Sequence, residues 1–459
     1  MGKGGPVDNR KNTRQVRAAV LAALPLLVVS GVSAAATLDY QLTAGGGHSD
    51  NIRRVAVDEE SENIASAGVQ FSLDQRSSRL YADLVGNFAY YDYLDDTFDD
   101  EVLGNFAGQA RFAIAPERFE WLIADNFGQV LSDPFLPSTP ENRENINYFT
   151  TGPDLLFALG SQTRLRFGGR YSMTAYEDTE VDSDTVLGEI ELSRLLSSAS
   201  SIGLVTRAQQ IDYDNAALNA DYDQGEAFLH YATEGSRTLL TMDAGYTRIE
   251  RDAMDNTESG PLFRLDVTRR LTAATTASLS LAREFSSAGS DFASTQSQSI
   301  GLETAAGRQT AEPFTRESIG LNWTFTRNRT SLSLSGSWDD HTYDAQPALD
   351  QKLTSGTVAV RRDLSPVMSL ILDGGYLRSA FEQQGGDYTE ASGGLTFSWR
   401  LSSRVSINAT YDHVDRDSDQ QIGDYTENRY WFYIGYGRGV PRTTMLPHQF
   451  AVDAANPER

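Results

Sequence analysis

Hydrophobic and polar residues alternate with a period of two along most of this chain. In Ser331–Trp338 every second residue is serine, and the positions between are Leu332, Leu334, Gly336 and Trp338. Further upstream, Leu165, Phe167, Gly169, Tyr171 and Met173 interleave with Arg164, Arg166, Gly168, Arg170 and Ser172. Val405, Ile407, Ala409 and Tyr411 oppose Ser406, Asn408 and Thr410, while Val186, Gly188, Ile190 and Leu192 oppose Leu187, Glu189 and Glu191. Successive side chains of a strand point to opposite faces, so the pattern predicts strands with one apolar and one polar face. The alternating runs match the roughly 9–11 residues a tilted strand needs to cross a bilayer.

The connections fall into two classes that alternate along the chain. Short turns lie at 116–118, 160–162, 197–199, 234–236, 272–274, 327–329, 364–366 and 401–403, with a ninth near 74–78. Longer acidic loops lie around 50–62, 92–100, 132–143, 177–184, 212–221, 250–258, 287–310, 343–350, 382–387 and 415–424. Ten long loops and nine short turns require twenty strands, or eighteen if a pair is miscounted. An even count with short turns on one side and long loops on the other is the layout of an outer-membrane barrel. The predicted fold is therefore all-β, a single transmembrane antiparallel β-barrel of about 20 strands (18–20). A propeller would repeat a blade-wide signature, and none recurs. A sandwich array would not sort its turns by length. At strand spacings of about 4.8 Å and tilts of about 40°, twenty strands give a diameter of roughly 40 Å.

The N-terminus carries Lys3, Arg10, Lys11, Arg14 and Arg17, then an apolar run from Ala18 to Val32, then Ser33-Ala34-Ala35-Ala36. A basic stretch, a short apolar run and a small-residue site predict a secretory signal over 1–36. The run falls short of the about 20 residues of a spanning helix. The barrel is expected over 37–440 and a C-terminal periplasmic tail over 441–459. Strands that start at the cleavage site leave no room for an N-terminal plug domain.

Composition narrows the function. The chain has 39 Lys+Arg, 63 Asp+Glu and a formal charge of −24. Losing five basic residues and one acid with the signal takes −24 to −28. That balance argues against nucleic acid as a partner. Without cysteine, there is no thiol nucleophile and no zinc-thiolate site. The mean hydropathy of −0.40 excludes a helical membrane protein, but suits a barrel whose strands average an apolar and a polar face. The 20 Tyr, 21 Phe and 5 Trp fall largely near strand ends, where girdles sit; Tyr90, Tyr91, Tyr171, Tyr176, Trp338, Trp399, Tyr430, Trp431, Phe432, Tyr433 and Tyr436 are examples.

Charge within strands marks the lumen. Alternation assigns Arg111, Arg166, Arg170, Arg207, Arg264 and Arg400 to the inner face, with Glu189, Glu191, Glu226, Asp243, Asp266, Asp373 and Asp412. An Arg or Lys turned to lipid at the midplane would cost about 2–4 kcal/mol. Mixed signs predict ion pairs across the lumen, either stiffening the wall or guiding a polar or charged polymer. The 287–310 loop, rich in Ser, Gly and Gln, is a candidate constriction, or else an ordinary external loop.

Catalytic signals are weak. The histidines are His48, His230, His341, His413 and His448, without metal-ligand spacing. His413 between Asp412 and Asp415, and His341 after Asp339-Asp340, could serve a rim enzyme acting on lipid, yet acids flank almost everything here. The acidic clusters at 58–60 and 95–101 could hold divalent cations that bridge lipopolysaccharide; solvated loop charge explains them equally. No cofactor and no resident metal is expected.

One stretch reads as a motif: Trp121, Asp125 and Asn126; then Asp133-Pro134; then Pro140, Asn142, Asn145, Asn147 and Thr151-Gly152-Pro153-Asp154. The prolines predict a stiff loop, and Gly152-Pro153 a bulge or kink. This stretch, and the barrel more loosely, resembles a family of uncharacterised outer-membrane barrels associated with exosortase/PEP-CTERM systems. The resemblance implies an outer-membrane location beside exopolysaccharide synthesis and export, and no catalytic residues. Expected partners are outer-membrane lipid and lipopolysaccharide, with polysaccharide and export-complex proteins as further candidates. The sequence thus points to a non-enzymatic channel or export accessory for extracellular polysaccharide. A small-solute porin, a rim enzyme and a filled structural barrel are the alternatives.

Overall fold

A computed structural model describes residues 36–215, 219–251, 256–296, 309–382, 385–420 and 423–442. The expected signal segment, except for Ala36, and all but the first residues of the expected tail lie outside them. Twenty strands follow one another: β1 (Ala36–Ser49), β2 (Glu62–Arg76), β3 (Leu80–Tyr93), β4 (Glu101–Ala115), β5 (Phe119–Leu131), β6 (Arg143–Ala158), β7 (Thr163–Tyr176), β8 (Ser183–Ser197), β9 (Ser200–Tyr213) and β10 (Tyr222–Glu234). The second half comprises β11 (Thr238–Arg251), β12 (Asn256–Arg270), β13 (Thr275–Ser286), β14 (Phe314–Arg327), β15 (Thr330–Thr342), β16 (Gln351–Ser365), β17 (Met368–Phe381), β18 (Tyr388–Arg400), β19 (Val405–Ser418) and β20 (Tyr425–Arg438). A single α-helix of the described residues, α1 (Ala288–Gln296), lies in the β13–β14 loop.

Each strand pairs antiparallel with its sequence neighbours, and β20 returns to β1 with registers from Tyr40↔Arg438 to Ser49↔Arg429. The sheet is a closed barrel, which leaves no unpaired strand edge. The described residues contain no plug domain.

Burial is inverted relative to a water-soluble protein. On β8 the outward Val186 and Ile190 are 59% and 49% exposed, while Glu189 between them is 7% exposed. Leu204 on β9, Leu229 on β10, Leu321 on β14 and Leu372 on β17 continue the exposed apolar belt. A surface of this kind is stable only against lipid. Tyrosines at the long-loop end of the outer wall tie into polar loop groups: Tyr90 donates to Asp100 at 2.6 Å and Tyr171 to Asp184 at 2.7 Å.

One seam of the wall is irregular. The β6–β7 register runs to Thr151↔Tyr171 and resumes only at Asp154↔Gly168. Pro153 has no N–H to give the ladder. The Arg170 guanidinium fills the gap, donating to the carbonyls of Pro153 at 2.9 Å and Gly169 at 2.7 Å. Gly152 is required here, because a Cβ would overlap the Gly169 carbonyl. Gly152→Ala is expected to lower barrel stability by about 1–3 kcal/mol, the usual range for overpacking; an unchanged urea midpoint in micelles would contradict this close approach.

Candidate functional site: the lumen and its mouth

Most inward-facing charges from β4 to β13 form one continuous belt along the wall. Asp154 on β6 accepts from Arg166 at 3.0 Å and from Arg170 at 2.7 Å, and lies 3.8 Å from Arg111. Arg111 also faces Glu120 at 3.6 Å. Arg166 pairs onward with Glu189 and, at 2.8 Å, with Glu191. Glu189 holds Arg207, which reaches Glu226 at 3.6 Å. Glu226 lies 3.2 Å from Arg264, which also pairs with Glu284 at 2.5 Å and approaches Asp243 at 3.6 Å. Asp243 closes on His230 at 2.6 Å. The chain of charges runs from β4 to β13.

The expected direction of pairing is thereby corrected. Among the described residues, no ion pair joins strands more than two apart around the wall. Neighbouring strands lie about 4.8 Å apart, so alternating signs at one level meet sideways. A lumen tens of ångströms wide is beyond any side chain's reach. The belt stiffens one half of the wall and leaves the lumen unbridged. A cavity of about 240 Å³ beside it is lined by Arg166, Gly168, Arg170, Leu187, Glu189 and Arg207.

The other half of the wall is lined differently. Serine and threonine pair across strands, as in Ser337 with Ser355 at 2.8 Å and Thr396 with Thr410 at 3.2 Å. Register places Asp373, Gly394, Asp412 and Arg429 in one inward row across β17 to β20. Asp266 faces inward beside Arg264 without an ion pair among the described residues. Arg400 lies at the short-turn end, where it donates to the Pro366 carbonyl at 2.7 Å. Several aromatics expected in a girdle also belong to the lumen. Trp431 stacks on Tyr433 (5.5 Å, 10°) and meets Tyr91 at 5.6 Å, all three on inward positions.

Two loops fold over the long-loop mouth. The first is the β5–β6 loop of the motif. Asn142, 7% exposed, is its organiser: Nδ2 donates to the carbonyls of Asp133 (2.9 Å) and Pro137 (3.0 Å), and Oδ1 accepts from Asp133 N–H at 2.8 Å. Asp133 in turn accepts from Phe135 N–H at 2.9 Å, ahead of Pro134-fixed backbone. The stiffened loop reaches across to the β17–β20 wall. Phe135 packs on Phe381 at 4.5 Å, Arg416 donates to the Phe135 carbonyl at 2.8 Å, and Arg54 donates to the Ser138 carbonyl at 2.6 Å. Arg54 is anchored by Glu427 at 3.0 Å. Burial works against its charge, but Tyr425, Glu427 and Glu390 outweigh that, and its pKa stands above the ordinary arginine value. The contact is therefore cationic at every accessible pH.

The second is the β13–β14 loop. Its helix α1 turns inward and packs against β4, β5 and β6. Phe292 joins Val130, Ile146 and Tyr176 in a buried cluster, and Gly289 sits against Thr174. Asp291 lies 3.2 Å from Arg316, which also holds Asp339 at 2.7 Å. The described part of the candidate constriction is thus inside the mouth. At its far end Glu312 pairs with Arg251 at 2.7 Å; burial raises the Glu312 carboxyl while Arg251 lowers it, and burial wins.

The rest of the motif lies in strands, not in a loop. Trp121, Asp125, Asn145 and Pro153 are on outward positions of β5 and β6, and Gly152 and Asp154 on inward ones. Trp121 Nε1 donates to Thr151 at 2.8 Å and Asn145 accepts from Gln129 at 2.8 Å. Asp125 is an exception to inward charge: it is held by Asn147, with one oxygen left unpartnered. The Arg283–Glu317 pair also faces outward, near the long-loop end.

The histidines do not share a site. His413 is on the outer wall with Asn428 at 2.9 Å, His48 pairs with Asn63 at 3.1 Å, and His230 is in the belt. His341 faces inward, 3% exposed and stacked on Phe314 at 4.4 Å. His448 is outside the described residues. Among these residues no group of three His, Cys, Asp or Glu could hold a metal ion. The start of the expected tail turns into the short-turn mouth, where Arg442 meets the fully buried Asp83 at 2.5 Å.

Residues 321–434, which run from β14 to β20, match the family described as "Putative beta-barrel porin 2". No curated protein matches the chain. The siderophore receptor PirA from Pseudomonas aeruginosa is similar at 12% identity, over 87% of this chain and 80% of that one, with a TM-score of 0.42. OccK2 (OpdF) from Pseudomonas aeruginosa, in complex with glucuronate, is similar at 13% identity over 87% and 98%, with a TM-score of 0.35. The FrpB iron transporter from Neisseria meningitidis is similar at 8% identity over 87% and 82%, with a TM-score of 0.40. At such TM-scores these likenesses carry no argument about function. The closed 20-strand wall with its lipid-facing belt, together with the porin-family match over its last strands, makes this chain a porin-like β-barrel of the outer membrane of a Gram-negative bacterium.

Proposed function

We propose that this protein is a passive diffusion channel for small hydrophilic solutes. The observation that carries this reading is the lumen itself. From β4 to β13 most of its charges are bound sideways into the wall, the other half is lined by hydroxyls, three aromatics and a short row of charges, and among the described residues no ion pair spans it. A wall arranged in this way leaves a polar passage that no ion pair closes off. The two infolded loops narrow the mouth, so passage is selective by size. No covalent chemistry is needed.

Purified protein in planar bilayers is expected to give discrete ohmic steps. Liposomes carrying it should swell with a monosaccharide much faster than with a trisaccharide. Absence of any conductance, including after deletion of 133–141 and of 287–310, would exclude a channel. Export of an extracellular polysaccharide in an exosortase-type system is the narrower reading, supported by the motif resemblance. It requires both loops to swing out of the mouth for a polymer to thread. Normal exopolysaccharide in a deletion strain would remove it and leave the small-solute channel standing.

A further inference from the structure

We propose that Trp431, Tyr433 and Tyr91 form a stacking platform on the lumen wall that binds the pyranose ring of a saccharide. The proposal deepens the channel reading and rests on it, because it names the class of solute that would dwell in the passage.

The first argument is geometric. Trp431 lies midway along β20, opposite Gly47 of β1, and Tyr433 lies opposite Gly45. A Cβ at Gly47 would overlap the indole. The glycine therefore lets the indole lie close against the β1 backbone on the inner wall, where it stays partly exposed. Tyr433 extends it as an offset stack, near-parallel at 5.5 Å between ring centres and 10°, so that the pair presents a stepped surface. Tyr91 flanks it at 5.6 Å and 55°, as a raised edge. All three side chains are half-buried and accessible from within the barrel.

The second argument concerns the polar groups beside the platform. Arg429 precedes Trp431 by one inward position and is registered against Asp412, while Asp373 continues the row through Gly394. Among the described residues none of these three closes an ion pair. Arg429 Nε has no hydrogen-bond partner although it is shielded from solvent. In the belt on the opposite half of the wall, most charged side chains are paired at least once. Unspent donors and acceptors beside partly exposed aromatic rings are what a ring with apolar C–H faces and a polyhydroxyl rim requires. A lipid would not enter the lumen, and a nucleotide's phosphate would meet a chain of strongly negative charge.

The test is calorimetric titration of the folded barrel in micelles with maltohexaose and with cellohexaose, polyethylene glycol of similar length serving as the non-sugar control. Saturable binding of at least one hexaose, and none of the polymer, is expected. Trp431→Ala should weaken it at least tenfold, and Trp431→Phe less than threefold. Trp399→Ala, on the lipid face, should leave it unchanged. Heat-modifiable migration in gels shows that each variant is folded; if Trp431→Ala fails that check, Tyr433→Ala and Asp412→Asn take its place. The proposal falls if neither hexaose binds the wild type, or if folded variants at the platform bind as tightly. A conducting barrel that binds no hexaose would overturn the platform alone; hexaose binding by a barrel that never conducts would overturn the channel reading.

Discussion

Asp154→Ala is expected to be the most damaging single substitution in the wall. Its side chain is 1% exposed and lies within 4 Å of three guanidinium groups, those of Arg111, Arg166 and Arg170. Arg166 retains Glu189 and Glu191, and Arg111 retains Glu120, but Arg170 loses its sole ion-pair partner among the described residues. Removing one member of a buried ion pair costs about 3–5 kcal/mol, since the charge left behind stays desolvated without compensation. Arg170 also fills the broken β6–β7 ladder, so loosening it weakens the Pro153 seam. The expected readout is a urea midpoint well below wild type and a lower temperature for loss of the folded gel band. Ion selectivity should shift toward anions as well, because a negative charge is deleted from the lumen. Asp154→Asn keeps hydrogen-bond acceptance without the charge and should fall between. A variant as stable as wild type, with unchanged selectivity, would mean that the belt does not stiffen the wall.

The second large effect is expected at the mouth. Replacing Arg54 and Arg416 together by Ala removes the two guanidinium groups that hold the β5–β6 loop to the far wall. Each makes a charged hydrogen bond to a loop carbonyl, at 2.6 and 2.8 Å. Such bonds contribute about 1.5–3 kcal/mol each, and a change of that size moves a docked loop to a mixed population. Single-channel conductance should rise severalfold, and liposomes should admit a trisaccharide that the wild type retards. The barrel fold should survive, because neither side chain takes part in the ladder. Phe135 on Phe381 remains as a weaker hold, so Phe135→Ala on that background should raise conductance further. Wild-type conductance in the double variant would show that this loop does not limit passage.

Much of the wall was legible in the chain. The two classes of connection gave the strand number: nine of the ten connections at the long-loop end exceed every one of the nine short turns, while strands β11 and β12 come within four residues of each other, closer than the expected loop over 250–258. Facing was legible wherever a strand alternates cleanly. On β7 and β8, Arg166 and Glu189 are inward and Phe167 and Val186 outward, as charge and hydropathy require. Strands without clean alternation were not legible. β20 reads Tyr430-Trp431-Phe432-Tyr433-Ile434, apolar on both faces, so its aromatics passed for a girdle. In β5, Trp121 to Phe127 has no period at all, and the outward position of Asp125 follows only from its neighbours' register.

By itself the sequence determined the barrel, its strand count and the two-sided character of most strands, because alternation and turn length are local properties of a few residues. The tertiary structure decided three things that depend on closure. It set the facing of β20, since only its register on β1 brings Trp431 over Gly47. It turned the charges into a lateral belt, since adjacent strands are within side-chain reach and opposite walls are not. And it laid the β5–β6 loop and α1 over the mouth, since their anchors, Arg416 and Phe381 for one and Val130 and Ile146 for the other, lie far from them along the chain and become neighbours only when twenty strands close.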